Sequence, residues 1–329
     1  MEVSDVGVDV LSQTIRANGT PRIAVHALSK RFGDRQVLKG VDFEIGEGEI
    51  FGYLGPNGAG KTTTMRLLIG LLKPTGGSAL IDGEDAGRSA EVRRRIGVLL
   101  ENNGLFDRLS AVDALTYYAE LYEVPHAKER IAEMLELAGL SNRVRDKVGT
   151  FSQGMRRRLG LARALLHRPS ILLLDEPSAG LDPEAQKIVR DLIASLSANE
   201  RITVFMNTHD LDDVERICTR VAILVDGILQ ADETLATWTT RAEAFGLVLT
   251  FESDVDVQRA ADILRDWLGA SRIDLDGRTA TIWTERELRT EAAIDVLRDA
   301  DIALHEVRRA RQSLEDLYLK TIREAGGNA

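Results

Sequence analysis

Short apolar runs alternate with stretches of helical periodicity along the first two thirds of the chain. The runs that predict strands are residues 49–54, 96–100, 171–174, 202–206 and 221–225. Because strands that alternate with helices usually form a parallel sheet covered by helices, the pattern predicts an α/β fold with a mainly parallel sheet. Residues 111–148 interrupt this alternation with apolar positions at helical spacing. They predict a helical insertion, whose subdomain we expect to span about residues 102–160.

The two ends of the chain differ from this pattern. Residues 1–20 show little periodicity and end beside Pro21, so they predict a flexible N-terminal arm. A hairpin turn predicted at Asp226-Gly227 marks the end of the first domain. We place this domain at residues 21–236. Beyond it, strand, helix, hairpin, helix, strand and helix patterns follow in turn. Residues 237–329 therefore predict a small C-terminal α+β domain of the split βαβ kind, its hairpin turning at Asp276-Gly277.

The composition fits a folded globular protein and disfavours several partners. Hydrophobic residues make up 44% and charged residues 29% of the 329 residues, which is enough for a packed core. The net charge of −10 disfavours binding to nucleic acid or anionic lipid, so no nucleic-acid partner is expected. The apolar runs are shorter than the roughly 20 residues that cross a bilayer, and no secretory leader pattern opens the chain. With Cys218 as the single cysteine, these features predict a cytoplasmic protein without an internal disulfide.

A glycine-rich motif of the form G-x-x-x-x-G-K-[ST] lies between a predicted strand and a predicted helix, which is the context that phosphate binding requires. Its residues, with the one that follows, are Gly55, Pro56, Asn57, Gly58, Ala59, Gly60, Lys61, Thr62 and Thr63. The glycines allow successive N–H groups to face a phosphate at the start of a helix. Lys61 adds a positive charge toward the β- and γ-phosphates, and the Thr62 hydroxyl can bind Mg²⁺. The motif predicts a nucleoside triphosphate site, and a glycine-rich turn with an incidental lysine is the alternative.

An acidic pair follows the most apolar of the predicted strands. Residues 171–174 are all isoleucine or leucine, as in a central parallel strand, and Asp175 and Glu176 come directly after them. Ligands of open α/β sheets bind at the carboxyl ends of the strands. Asp175 is therefore a candidate Mg²⁺ ligand, and Glu176 is a candidate general base for an attacking water. A helix-capping pair before Pro177 is the alternative.

A short motif before the acidic pair carries a family resemblance. Residues 151–155, with the sequence FSQGM, resemble the LSGGQ signature of ABC ATPases and precede the acidic strand as in that family. The region of residues 23–233 is similar as a whole to one ABC nucleotide-binding domain. The resemblance implies a P-loop NTPase fold of the ABC type, with ATP and Mg²⁺ as cofactors and ATP hydrolysis as the reaction.

The resemblance also implies that two ATPase subunits act together. In the family, the signature of one subunit contacts the γ-phosphate bound on the other, and this role falls here on Ser152, Gln153 and Gly154. The segment before Asp182 resembles the D-loop, which places that aspartate at the seam between two subunits. His209 matches the switch histidine, which contacts the γ-phosphate in relatives. We therefore expect a homodimer or a paired ATPase subunit.

Three positions depart from the family pattern, and a fourth matches it by a single aromatic residue. Glu101 stands where most relatives have the Q-loop glutamine; a carboxylate can still bind Mg²⁺, but it adds negative charge beside the phosphates. Gln153 replaces the first glycine of the signature, and Met155 replaces its glutamine. Phe32 aligns with the aromatic residue that stacks on adenine in relatives. Packing in the core or in a turn is the alternative for this phenylalanine.

The helical insertion and the C-terminal tail resemble segments that relatives use for transport. In relatives the insertion receives coupling helices of integral membrane permease subunits, which points here to residues 102–108 and 111–121. Residues 313–319 resemble the S-L-E-D ending of exporter ATPases of the daunorubicin-resistance type. For this tail, an ordinary amphipathic helix with three leucines turned inward is the alternative: Leu314, Leu317 and Leu319.

These resemblances predict the ATP-hydrolysing subunit of an ABC transporter, held at the inner face of the cell membrane by a separate permease. The tail points to export of a drug, an antibiotic or a lipid-like substrate. Two other classes stay open. One is an ABC ATPase that acts on the ribosome or DNA, although the chain has one cassette and no extended heptads. The other is an adaptor that binds ATP without turnover, which the presence of both Lys61 and Glu176 disfavours.

Overall fold

The computed structural model describes residues 20–101, 103–242, 245–268, 272–284, 290–310 and 314–326. The chain divides between Leu235 and Ala236 into two compact units, here called the first and the second unit. Residues 1–19, which hold nearly all of the predicted arm, lie outside the described residues. Among the helices that the structure describes, none is both long enough and apolar enough to cross a membrane.

The first unit alternates strands and helices along the chain. Its elements are β1 (Ile23–Phe32), β2 (Arg35–Ile45), β3 (Ile50–Leu54), α1 (Lys61–Leu68), β4 (Gly76–Ile81), α2 (Ala90–Arg94), β5 (Ile96–Leu99), α3 (Ala111–Leu121), α4 (Ala127–Leu137), α5 (Gln153–Leu165), β6 (Ile171–Asp175), α6 (Pro183–Glu200), β7 (Thr203–Asn207), α7 (Leu211–Ile217), β8 (Arg220–Val225) and β9 (Ile228–Thr234).

A six-stranded sheet forms the centre of the first unit, in the order β5-β6-β7-β3-β8-β9. Neighbouring strands run parallel except β8 and β9, which form an antiparallel hairpin. The two turn residues, Asp226 and Gly227, have positive φ angles of 48° and 78°, as a tight hairpin turn requires. Every residue of β3 and of β6 is buried, as expected for central parallel strands. The predicted parallel sheet and its closing hairpin are confirmed.

The first unit also has a three-stranded antiparallel sheet, in the order β2-β1-β4, which the sequence analysis did not predict. Register shifts interrupt the pairing of β1 with β2, so buried and exposed residues do not alternate regularly along β1. The sheet packs against the parallel sheet through aromatic rings. The ring centroid of Phe43 on β2 lies 5.2 Å from that of Phe51 on β3 and 6.0 Å from that of Phe205 on β7. These contacts join the two sheets into one hydrophobic core.

The helical insertion consists of α3, α4 and α5, which confirms its prediction. α3 begins after Ser110, whose hydroxyl accepts a hydrogen bond from the N–H of Asp113 and so satisfies one free donor of the first turn. The buried guanidinium of Arg130 on α4 donates to the carbonyls of Leu165 and Leu166 at the end of α5. These bonds tie the middle helix of the insertion to the last one.

The second unit opens with α8 (Leu235–Ala242), whose first residue lies at the division. It continues with β10 (Phe245–Phe251), α9 (Asp254–Leu268), β11 (Arg272–Asp276), β12 (Thr279–Thr284), α10 (Thr290–Asp299), β13 (Leu304–Ala310) and α11 (Leu314–Gly326). Its four strands form an antiparallel sheet of order β11-β12-β10-β13. This order and the βαββαβ succession confirm the predicted split βαβ domain.

Two details of the second unit differ from the sequence-based prediction. Asp276 pairs with Thr279, so the two-residue loop of the hairpin is Gly277-Arg278 and lies one residue later than predicted. In α11, Leu314 is buried but Leu319 is 41% exposed, so the inward placement of Leu319 is wrong. Five residues along an α-helix turn a side chain by roughly 140°, which carries Leu319 away from the face of Leu314.

Candidate active site

The candidate site is a cleft of about 630 Å³ at the carboxyl ends of β3, β6 and β7 in the first unit. Parallel strands present their carboxyl ends at one edge of the sheet, so residues that lie far apart in sequence meet there. The predicted site residues that line the cleft are Pro56, Asn57, Gly58, Gly60, Lys61, Thr62, Thr63, Glu101, Gln153, Asp175, Glu176 and His209. The predicted residues outside its lining are Phe32, Gly55, Ala59, Ser152, Gly154 and Asp182.

The phosphate loop connects β3 to α1 as the motif predicts. Two of its glycines are required by close packing. A Cβ atom on Gly55 would lie 2.2 Å from the carbonyl oxygen of Leu224, and one on Gly60 would lie 2.7 Å from Cδ2 of Leu38. Gly60 also has a φ of 116° and precedes α1 without any side-chain cap. The first N–H groups of α1 therefore remain available to an anion at a positively polarised helix start.

Lys61 is buried at the first position of α1 and turns back over the loop. Its Nζ donates to the carbonyl oxygen of Gly55 at 2.5 Å and to that of Pro56 at 3.3 Å. Burial lowers the pKa of Lys61, while the carboxylates of Glu176 and Asp175 act in the opposite direction. The loop thus holds an ammonium group in the cleft, opposite the acidic strand end.

The pairing of two strands orients Asp175. Asp175 ends β6 and lies opposite Asn207, the last residue of β7, and the Asn207 side-chain amide donates to Oδ1 of Asp175. Burial raises the pKa of Asp175, and the amide contact opposes this shift. Asn207 also lines the cleft, and the sequence reasoning did not identify it. The available signal was its place two residues before His209 at the end of a predicted strand.

Glu176 is held by the segment that follows β7. Its Oε1 lies 2.9 Å from Nδ1 of His209, and its Oε2 accepts a hydrogen bond from the Thr208 hydroxyl at 3.4 Å. The Glu176 side chain is 21% exposed, so it reaches the cleft without being fully hydrated. Its φ of 50° is a left-handed conformation, which is uncommon outside glycine and occurs often at active sites. The structure therefore brings the predicted base and the predicted switch histidine into direct contact.

The cleft lining also includes Asn103 and Arg157, which the sequence reasoning did not assign to the site. Arg157 is buried on α5, and burial lowers its pKa to about 10, although nearby acids act in the opposite direction. It therefore stays positively charged at neutral pH. In the sequence it is the middle one of three consecutive arginines, where only the position of the helix distinguishes it from its neighbours.

The signature and the D-loop adjoin one another within this chain. Ser152 caps α5, its hydroxyl accepting a hydrogen bond from the N–H of Met155 at 3.2 Å. The Gln153 side chain packs against Gly180. A Cβ atom on Gly180 would lie 2.7 Å from Nε2 of Gln153. A Cβ atom on Gly154 would lie 2.9 Å from that of Ala185, so α5 and α6 approach closely here. These contacts place the signature at one side of the cleft.

Asp182 and Phe32 lie at the surface of the first unit. Oδ1 of Asp182 accepts a hydrogen bond from the N–H of Ala185 at 2.9 Å, so its carboxylate caps α6. Phe32 ends β1 and is 47% exposed, which rules out the alternative that it packs in the core. The ammonium group of Lys30 lies 4.9 Å from its ring centroid. The ring of Phe32 is therefore accessible to a ligand.

This chain is similar to known proteins in both sequence and fold. A family model described as ABC transporter matches residues 38–179. The chain is 35% identical over 302 residues to the uncharacterized ABC transporter ATP-binding protein YdbJ of Bacillus subtilis, with 91% of this chain and 95% of the relative covered. It is 43% identical over 203 residues to the bacitracin transport ATP-binding protein BcrA of Bacillus licheniformis, with 61% of this chain and 66% of the relative covered.

Among solved structures, the chain is similar to the dimeric post-hydrolysis structure of the ATP-binding cassette MJ0796 bound to ADP and Pi. The TM-score is 0.59 and the identity is 28%, with 65% of this chain and 98% of that one covered. The similarity to YdbJ spans nearly the whole chain, and the fold is that of an ATP-binding cassette. The chain therefore belongs to the ATP-binding proteins of ABC transporters and is an ATPase.

Proposed function

We propose that two copies of this chain, or one copy and a paired ATPase subunit, close around two ATP molecules and so drive a separate membrane permease. One observation carries the proposal: the phosphate loop, the acidic strand end and His209 border a single cleft. ATP hydrolysis is the established reaction of the family to which the chain belongs. Substitutions test the residue roles and the pairing, and co-purification from membranes tests the permease partner.

In the proposed site, the phosphate loop and Lys61 bind the phosphates. Glu176 takes the proton of the attacking water, and the Oε1 contact with Nδ1 of His209 holds the carboxylate in place. His209 is 63% exposed, so its ring remains free to contact a γ-phosphate as well. Phe32 supplies an exposed ring on which adenine can stack.

The oxygen donors of the cleft fit Mg²⁺. Thr62, Asp175 and Glu101 all line it, and Mg²⁺ prefers hydroxyl and carboxylate oxygens together with water and phosphate oxygens. Within the described residues, no three acidic, histidine or cysteine side chains converge as an all-protein metal cage. This donor set agrees with a cation that arrives with the nucleotide, since Mg²⁺ usually keeps several waters and binds substrate phosphates. When bound, Mg²⁺ would neutralise part of the phosphate charge.

The exposed N-terminus of α5 supports the paired arrangement. Ser152 and Gln153 lie at the surface at this helix start, where the helix dipole favours an anion. We propose that they and the backbone N–H of Gly154 contact the γ-phosphate bound by the second subunit, and that Asp182 lies at the seam. The similar cassette MJ0796 is described as a dimer bound to ADP and Pi, which supports the same arrangement here.

An aromatic patch on the helical insertion supports a permease partner. Phe106 and Tyr117 are 46% and 47% exposed, and their rings meet edge to face with centroids 5.3 Å apart. Leu121 extends the same apolar surface of α3. Exposed apolar side chains that lie together mark interaction sites in soluble units. We propose that a cytoplasmic helix of the permease binds here, and that the substrate is an exported drug, antibiotic or lipid-like molecule, as the name of BcrA suggests for that relative.

Co-purification from detergent-solubilised membranes tests this function. The full chain should recover an integral membrane protein, and the double variant Phe106→Ser, Tyr117→Ser should lose it while keeping its ATPase activity. Ile188→Ser is a matched control, because Ile188 is exposed on α6, outside the insertion. Equal recovery with the double variant would refute the proposed docking site, and recovery of ribosomes or DNA would refute the transport function.

A further inference from the structure

The guanidinium group of Arg157 lies beneath the candidate site and uses all five of its N–H donors. The Arg157 residue is 5% exposed on α5. Four of its acceptors are backbone carbonyls and one is a side-chain amide oxygen. Nε donates to Pro177 O at 2.9 Å, Nη1 donates to Leu100 O and Asn103 Oδ1, both at 2.9 Å, and Nη2 donates to Asp175 O and Glu176 O. An arginine has five donors and no acceptor, so this group is saturated.

These acceptors belong to two turns that enter the cleft from neighbouring strands. Three of them are the consecutive carbonyls of Asp175, Glu176 and Pro177, which begin at the last residue of β6. The other two, Leu100 and Asn103, flank Glu101 after β5. β5 and β6 are paired in the parallel sheet, but this pairing ends at Leu99 and Leu174. Beyond the sheet, Arg157 is therefore a direct link between the turn with Glu101 and the turn with Glu176.

The backbone of Glu176 needs such support. Its φ of 50° is unfavourable for a residue with a side chain and persists only where the surroundings fix it. The Glu176 N–H donates to Asn207 O at 2.8 Å, and its carbonyl accepts from Arg157, so both sides of the residue are held. Arg157 thus helps to select the conformation that directs the carboxylate toward His209.

The charge of Arg157 also suits its place. Glu101, Asp175 and Glu176 all border the cleft, and three carboxylates close together repel one another. Each of them interacts favourably with the Arg157 charge, against the cost of burying that charge. Arg157 therefore balances part of the extra negative charge that Glu101 brings to a position where relatives have glutamine.

We propose that Arg157 is a positioning residue for ATP hydrolysis, which fixes the turns of Glu101 and Glu176 relative to each other and offsets their charge. This inference rests on the proposed roles of Glu176 and Glu101. Arg157 lines the cleft but acts through these two turns, and nucleotide binding depends on the phosphate loop. Loss of Arg157 should therefore lower kcat more than it weakens nucleotide binding.

Arg157→Gln and Arg157→Lys in the full chain test the proposal. We expect kcat to fall by about 10²-fold, since a misplacement of about 1 Å can cost that much, while the Kd for a fluorescent ATP analogue changes less than about threefold. Lysine should not restore kcat, because its three donors cannot replace a planar fork of five. Arg130→Gln is the matched control: Arg130 is equally buried and also donates to two backbone carbonyls, but away from the cleft. If Arg130→Gln lowers kcat as much as Arg157→Gln at an equal loss of Tm, general destabilisation explains the effect and the proposal fails.

A double-mutant cycle with Glu101→Gln measures whether the effects of the two substitutions on kcat depend on each other. A purely structural role of Arg157 would leave the two effects independent. If Arg157 positions and neutralises the turn of Glu101, the two substitutions act on one arrangement, and their effects on kcat should be less than multiplicative. Multiplicative effects would overturn the proposal.

Glu176→Gln separates this inference from the proposed site itself. If Glu176→Gln keeps its turnover, the proposed catalytic role is wrong and the inference loses its basis. If Glu176→Gln is inactive while Arg157→Gln hydrolyses ATP at the normal rate, only the inference about Arg157 fails. Loss of turnover in both variants, with nucleotide binding retained in both, supports the two proposals together.

Discussion

Replacing Glu176 with glutamine removes the proposed base and leaves its surroundings nearly unchanged. The two side chains have the same shape, so the amide can keep both contacts of the carboxylate. Its oxygen can face Nδ1 of His209, 2.9 Å from Oε1 at present, and its NH₂ group can donate to the Thr208 hydroxyl, 3.4 Å from Oε2. The amide cannot accept the proton of an attacking water. The substitution therefore isolates proton transfer from packing.

The expected size of the effect follows from this geometry. Because the amide keeps the contacts, the variant should fold normally and bind ATP with an affinity close to that of the unchanged chain. Loss of a positioned general base typically costs about 10²- to 10⁴-fold in rate, or about 2.7–5.4 kcal/mol in activation free energy. The proposal of a paired ATPase adds a second expectation: ATP should accumulate a stable dimer that hydrolyses slowly.

Phosphate release under saturating ATP measures the first expectation, and light scattering after size exclusion with ATP and Mg²⁺ measures the second. Glu136→Gln is a suitable control, because Glu136 is exposed on α4 and contributes nothing to the cleft lining. Turnover of Glu176→Gln within tenfold of the unchanged chain would refute the role of Glu176 as base. Slow turnover without an ATP-dependent dimer would refute the paired arrangement alone.

Substitutions at three further positions test other parts of the molecule. Lys61→Ala should weaken ATP binding by about ten- to hundredfold, because hydrogen bonds to a charged group contribute about 1.5–3 kcal/mol; unchanged affinity in calorimetry would contradict this. Phe32→Ala should weaken ATP binding by about tenfold and Phe32→Tyr should not, since stacking of a base on an aromatic ring contributes about 1–3 kcal/mol; equal Kd values would argue against stacking. Asp213→Ala should lower the free energy of unfolding by about 1–3 kcal/mol in urea denaturation, because Arg190 then loses its buried partner Asp213 Oδ1, at present 2.9 Å away, and keeps only the half-exposed Asp212 at 3.2 Å. A loss below about 1 kcal/mol would show that the pair is no stronger than a surface ion pair.

Local patterns predicted most of the first unit. The phosphate loop, the strand before Asp175 and the hairpin at Asp226-Gly227 each depend on a few neighbouring residues, and the structure has them where the sequence places them. The antiparallel sheet escaped prediction, because a register shift between Val25 and Leu28 breaks the alternation by which such strands are recognised. The exposed Leu319 shows the same limit, since the alternative interpretation of the tail as an amphipathic helix placed it inward.

The candidate site was only partly predictable for a related reason. Lys61, Asp175, Glu176 and His209 belong to motifs with fixed spacing, so their common cleft follows from the parallel order of the strands. The residues that support them lack such a motif. Asn207 becomes a partner of Asp175 only because β6 and β7 are neighbours in register.

The arginine run on α5 shows where the sequence stops and the tertiary structure decides. Arg156 reaches Asp107 and Arg158 reaches the carbonyl of Ala138, while Arg157 between them turns inward to the acidic strand end. The three residues are chemically identical, and each is turned by about 100° from the next around the helix. The sequence by itself predicted a nucleotide site from the phosphate loop and the acidic strand, and a resemblance to ABC ATPases from the signature, because each of these motifs is local in the chain. Only the packing of α5 against the sheet decided which arginine joins the site, because that choice depends on how the helix is rotated against residues distant in sequence.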